Sequence, residues 1–286
     1  MDNTKVATKV SQVIRQRILD AQAEWDAKTI EFSPQINALR AEIKSANRER
    51  VGELRKQIEE LQKKAIAVAG HARPRFHAAD NISQFIETEE EMQAIQDEVA
   101  AGFQQVLNAL VIDTENDHNT NETAKRVAKM YVREVFSGRY LPEPKITEFP
   151  NDQHLDEVII LGPFTVRSAC SHHFVPIMGS LWIGIKPGDN VAGLSKYGRL
   201  AEWILSRPHI QEESCVLLAN EIEKLINPQG LIVTIQAAHY CMKWRGIKDN
   251  AATTTSVVRG EFRKNASMKS EFFSQVKIMQ ADPGIK

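Results

Sequence analysis

Cysteine is scarce in this 286-residue chain, which has three in all. So small and odd a number excludes a disulfide framework and leaves free thiols or metal ligands as the uses open to them. No uninterrupted apolar run is long enough to span a bilayer, and the start, Met1-Asp2-Asn3-Thr4-Lys5, lacks the apolar centre of a signal peptide. The expected compartment is therefore the cytoplasm, with no membrane partner. Neither sign of charge is in excess, since 36 basic against 37 acidic side chains leave a formal net charge of -1. No overall field then favours nucleic acid as a partner. A Gly-rich phosphate loop of the nucleoside-triphosphatase kind is missing too. What remains is ordinary globular composition, 42% hydrophobic and 26% charged. That predicts a packed core and, at this length, two domains or one domain with an appendage.

The first third reads as helix. Val10 to Lys28 is one helical stretch, followed by Ser33-Pro34, where Ser suits an N-cap and Pro the first helical position. From Gln35 to Ala69 apolar residues recur at steps of three and four. Ile36, Leu39, Ile43 and Ala46 form one stripe, and Val51, Leu54, Ile58, Leu61, Ala65 and Val68 a second, offset by one residue. The offset near Asn47 to Gly52 marks either a skip in a coiled coil or the turn of a helical hairpin. Gly70 to Arg75 breaks the periodicity and reads as a linker. Residues 1–80 are therefore expected to be a helical extension and 81–286 a second domain. Within 81–286 the part up to residue 150 is helical, with helices from about Glu89 to Leu110, begun by the capping-box pair Thr88 and Glu91, and from Thr123 to Phe136.

Past Pro150 the runs turn β-rich. Strands are expected at Val158 to Leu161 and Leu181 to Ile185, helices at Ser195 to Ser206 and Glu212 to Ile226, strands at Leu231 to Tyr240 and Thr253 to Phe262, and a last helix at Ser267 to Val276. Two strands, two helices and two strands in that order predict an α+β core over 151–286, an antiparallel sheet with a helix pair on one face.

The chemistry-bearing residues sit at strand ends. Cys170-Ser171-His172-His173 closes one predicted strand and His239-Tyr240-Cys241 another. His239 and Cys241, two apart, share a side if the strand runs through them. Two thiolates and one imidazole would leave a four-coordinate zinc with one open position, the form of a catalytic site. A water there is acidified toward neutrality. Spacing alone leaves open whether His172 or His173 is the ligand.

Longer blocks surround these residues. They are Asn121-Glu122-Thr123-Ala124-Lys125-Arg126-Val127-Ala128-Lys129-Met130-Tyr131-Val132, Cys170-Ser171-His172-His173-Phe174-Val175-Pro176 and Gly193-Leu194-Ser195-Lys196. Arg207-Pro208-His209-Ile210-Gln211-Glu212 and His239-Tyr240-Cys241-Met242-Lys243-Trp244-Arg245-Gly246-Ile247 follow. With these blocks, from about Asp117 to its end, the sequence closely resembles the type I GTP cyclohydrolase family. The resemblance implies the tunnelling fold, a homo-oligomer in the form of a toroidal decamer, and GTP as partner. Its zinc ligands would be Cys170, His173 and Cys241, leaving His172 and His239 for proton transfer. Glu212 would take the N1 hydrogen and the exocyclic amine of guanine, with Gln211 beside it at the substrate. Arg126, Ser195, Lys196, Arg199 and Arg245 match phosphate-contacting positions. The implied reaction hydrolyses the imidazole ring of GTP, releases formate and yields 7,8-dihydroneopterin triphosphate, the start of a folate, pterin or deazapurine pathway.

The sequence departs from the family pattern at three of these positions. Ser171 stands where a Glu is usual, Ala124 where a Pro is usual, and Trp244 where a small residue is common. None removes a ligand or a proposed acid or base. The extension has no counterpart in the resemblance, and its stripes predict helix pairing within or between subunits, with docking of another protein as the alternative. Competing readings of the whole are a nucleotide sensor on the same fold, a deazaguanine nitrile reductase, and a structural zinc protein that scaffolds through its helices.

Overall fold

The computed structural model describes residues 9–281. Val10–Lys28 forms α1, Phe32–Ile43 α2 and Arg48–Ala69 α3. The offset between the two apolar stripes falls where α2 and α3 are separate helices. Asn47 starts the second, its side-chain oxygen accepting the Arg50 N–H at 2.9 Å. Gly70, at φ 81°, ends α3 in the left-handed conformation, with its N–H donating to the Ile66 carbonyl at 2.8 Å. α2 starts before Ser33, which caps nothing. A tight turn out of α1 places the Phe32 N–H on the Thr29 carbonyl at 3.0 Å and so carries the helix start upstream.

The described chain divides into two compact units. One runs to His77 and takes in Gln84–Glu98, and the other holds Ala78–Ser83 and the chain from Val99 onward. The boundary falls inside α4, Glu89–Ala109. In the first unit Ile14, Ile18, Ile36, Leu54, Ala65, Met92 and Ile95 are buried. Polar contacts rim that core. Arg17 pairs with Glu91 at 2.8 Å and Arg73 with Asp26 at 2.7 Å. The Thr88 hydroxyl accepts the Glu91 N–H at 3.2 Å, while the Glu91 carboxylate takes the Glu87 N–H at 2.8 Å, so the capping box closes one residue early.

The second unit continues from α4 through α5, Thr123–Lys129, a π-helical stretch Met130–Val135, and α6, Ser137–Tyr140. Strands β1 (Glu148–Pro150), β2 (Ile159–Cys170), β3 (Pro176–Lys186) and β4 (Asn190–Ala192) come next. Then follow α7 (Leu194–Leu205), β5 (Pro208–His209), α8 (Gln211–Ile226), β6 (Gly230–His239), α9 (Tyr240–Lys243), β7 (Ala252–Gly260), α10 (Glu261–Lys264) and α11 (Ala266–Ala281). β1 pairs with β4 in a two-stranded sheet, and the main sheet has the order β5-β2-β3-β6-β7. Every pairing in that sheet is antiparallel except the two-residue β5, which lies parallel to β2. This is a mixed α+β architecture.

Residues of the sheet alternate between two cores. Leu181, Ile183, Val233 and Ile235 pack with Leu200, Ile204, Leu218 and Ile222 of the helix pair α7 and α8. Trp182 and Ile232 point the other way, into Phe262, Phe272 and Val276. The helix pair covers one face as expected, and the C-terminal helices cover the opposite face. Cover on both faces is why β3 and β6 read as continuous apolar runs and not as alternation. Each fully buried Leu or Ile contributes roughly 1.5–3 kcal/mol. Gly184 marks how closely α11 approaches, since a Cβ there would lie 2.6 Å from the Phe272 ring. Among the described residues no helix is long and apolar enough to cross a membrane.

Candidate active site

Three strands deliver the chemical residues to one end of the sheet. β2 ends at Cys170, β3 begins at Pro176, and β6 ends at His239, which is the register partner of Ile177. The β2–β3 connection is a tight turn, in which the Phe174 N–H donates to the Cys170 carbonyl at 2.8 Å and the Cys170 N–H to Val175 at 2.9 Å. The turn forces Phe174 to φ 54°, a left-handed conformation rare for an aromatic residue. Tyr131, in the π-helical stretch, holds it there by donating its hydroxyl proton to the Phe174 carbonyl at 3.0 Å. The Tyr131 and Phe174 rings lie 6.1 Å apart and Phe136 packs on both. Sequence reasoning missed this clamp, although Tyr131 lies in one of the long blocks. π-helical turns recur at functional sites, and this one sits against the histidine turn.

Cys170, His173 and Cys241 offer ligand atoms that all lie within 4.8 Å of one another. Cys170 Sγ is 4.0 Å from His173 Nδ1. Around a tetrahedral ion with Zn–S bonds of about 2.3 Å, ligand atoms stand roughly 3.5–4 Å apart, so the set needs little adjustment to close on a metal. Cys241 does not lie on the extended strand. β6 stops at His239, and Cys241 sits in the short helix α9, so the same-side argument from strand spacing does not describe how it reaches Cys170. Burial, and then the neighbouring Cys170, pushes the Cys241 thiol above its ordinary pKa. Two thiols this close resist losing both protons until a cation offsets the charge, and a metal supplies that offset. The residues present therefore fit a metal ion.

The remaining predicted residues fall into groups. His172 is exposed on the turn, its ring 6.3 Å from that of His173. Arg245 Nη1 lies 2.7 Å from His173 Nε2. His239 is half-buried, and desolvation lowers its pKa against a smaller opposing pull from Glu212. Glu212 itself is exposed in the first turn of α8. Gln211 is 2% exposed and its side-chain oxygen lies 2.8 Å from His239 Nε2. Ser195 and Arg199, on α7, line a cavity of about 740 Å³ together with Tyr131, Arg167 and Phe174. Lys196 and Arg126 are not among the residues that line it, and Arg126 is exposed on α5.

The same stretch of chain matches known proteins. The family model described as GTP cyclohydrolase I matches residues 99–277. A GTP cyclohydrolase 1 of Erwinia tasmaniensis is 38% identical over 181 residues, covering 63% of this chain and 81% of its own. One from Escherichia coli is 35% identical over 207 residues, 72% of this chain and 88% of that protein. A domain match over more than half the chain, and relatives above 30% identity covered over most of their length, agree with the cysteine and histidine geometry. The chain belongs to the GTP cyclohydrolase I family of enzymes.

Proposed function

We propose that this chain is a zinc-dependent GTP cyclohydrolase that hydrolyses the imidazole ring of GTP to formate and 7,8-dihydroneopterin triphosphate. The product would enter a folate, pterin or deazapurine pathway. The observation that carries the reading is the convergence of two thiols and one imidazole at the sheet end where His239 and Glu212 also stand. Cys170, His173 and Cys241 hold the ion. Zinc, when bound, supplies the Lewis acidity that makes water nucleophilic near neutral pH.

The chain's own residues do the rest. The Glu212 carboxylate accepts the N1–H and one amine hydrogen of guanine, a pair that adenine does not offer. Of His172 and His239, one gives a proton to N7 as the ring bond breaks, and the other assists opening of the ribose. Arg126, Lys196, Arg199 and Arg245 neutralise the triphosphate, and Ser195 adds a hydroxyl. The sheet with its helix pair is assigned to the tunnelling fold, residues 81–286 to the catalytic domain, and the assembly to a toroidal decamer. Residues 1–80 are an extension that organises chains and takes no part in chemistry.

Incubating the purified chain with GTP and measuring formate and pterin fluorescence, with and without chelator, tests the proposal. Formate release that chelator abolishes and zinc restores is expected. GTP left intact by the zinc-loaded protein refutes it.

A further inference from the structure

Gln211 stands with the substrate contacts in the family resemblance, yet in this structure its amide nitrogen is fully engaged by the protein and its oxygen already faces His239. The amide nitrogen donates to the Ile235 carbonyl at 3.2 Å, the Thr253 carbonyl at 3.2 Å and the Thr255 hydroxyl at 3.1 Å. Two of these acceptors are backbone oxygens, which cannot donate. The opposite amide orientation would set oxygen against oxygen at both, so the orientation is fixed. The Gln211 oxygen therefore faces His239 Nε2 at 2.8 Å and can only accept, and Nε2 must carry the ring proton.

We infer that Gln211 is a positioning residue, which holds His239 as the Nε2–H tautomer and leaves Nδ1 as the ring atom that exchanges a proton with substrate. The inference rests on the reading of His239 as a proton-transfer group. It also tells how the network is built: α8 sends its first side chain across β6 and β7, so both strands share in aiming the imidazole.

Full-length protein labelled with ¹⁵N-histidine gives a test that needs no turnover. Solid-state NMR at neutral pH, with the His239 signals assigned by their loss in His239→Asn, should show a protonated Nε2 and a bare Nδ1. A protonated Nδ1 overturns the inference. Gln211→Met removes the acceptor and should scramble the tautomer and lower kcat by about ten- to a hundredfold, the usual loss when a hydrogen-bonded orienter is removed. KM for GTP should change by less than about twofold. In the His239→Asn background the same change should cost no further kcat, because the two act as one unit. A raised KM with kcat intact means that Gln211 binds substrate, and an equal loss of kcat in both backgrounds means that it only supports the fold. Gln211→Glu keeps an acceptor for Nε2 and should retain more kcat than Gln211→Met. If the protein leaves GTP untouched while the Nε2–H signal is present, the functional reading fails and the tautomer assignment stands.

Discussion

His209 makes the pH dependence of stability calculable. The side chain is 2% exposed, its Nε2 donates to the Ile204 carbonyl at 2.6 Å, and its buried Nδ1 has no partner among the described residues. Burial is the main cause of a pKa lowered from 6.5 to about 4, with the Ile204 carbonyl opposing and the Arg207 charge adding to the fall. Because the folded pKa lies below the unfolded one, the unfolded chain takes the proton first as pH falls. The stability held by neutral His209 is complete above about pH 6.5 and is lost between there and about pH 4. A gap of about 2.5 in pKa is worth ~3 kcal/mol in total, of which ~2 kcal/mol goes between about pH 7 and pH 5. His209→Gln keeps an N–H for the Ile204 carbonyl and has nothing to titrate. Urea unfolding followed by circular dichroism at several pH values, with chelator in every sample so that the metal ligands contribute equally, should show wild type losing ~2 kcal/mol more than the variant over that window. Parallel pH curves for the two proteins would refute the burial argument.

The other predictions concern the site and the extension. Cys170→Ser and Cys241→Ser should lose bound metal and formate release together, measured by metal analysis and assay, because two remaining ligands hold an ion weakly. His172→Ala should keep the metal and slow turnover by about 10²-fold; loss of metal on that change, with His173 dispensable, would reverse the ligand assignment. Deletion through His77 should leave GTP affinity within about threefold while changing the assembly state by light scattering. The cut belongs there because Ala79 and Asn81 bond to Arg207, Gly138 and Leu141 in the second unit. Loss of GTP binding by a folded, assembled truncation would place the extension at the active site.

Much of this was legible in the residues. β-rich runs located part of β2 and the middle of β3, and recurring apolar steps located α3 and α8, because burial periodicity is written locally. The cysteines and histidines pointed to a metal by type, but choosing His173 over His172 took the family resemblance. Their grouping needs β2, β3 and β6 side by side, a fact of pairing that no spacing contains. Cys241 misled, since a two-residue step reads as strand while the chain turns helical at Tyr240. The second covered face was missed because Phe272 and Val276 show a helix stripe without naming the surface it meets. Gln211 entered through the family resemblance, and the meeting of its amide with β6 and β7, strands that follow it in the chain, is again a fact of pairing that no spacing contains.

The order of the main sheet leaves β7 at its margin, where among the described residues it pairs with β6 on one side only. From Ala252 to Val258 this margin carries no charge and no proline, and threonine and valine supply most of it. Proteins that keep such an edge in water usually interrupt it with lysine, proline or a bulge, because a bare row of N–H and C=O groups is a template for another strand. Here the backbone is left ready to receive one. A chain whose β7 meets no other strand in solution therefore presents a sticky seam, and its aggregation should begin at β7 before the core of the sheet has come apart.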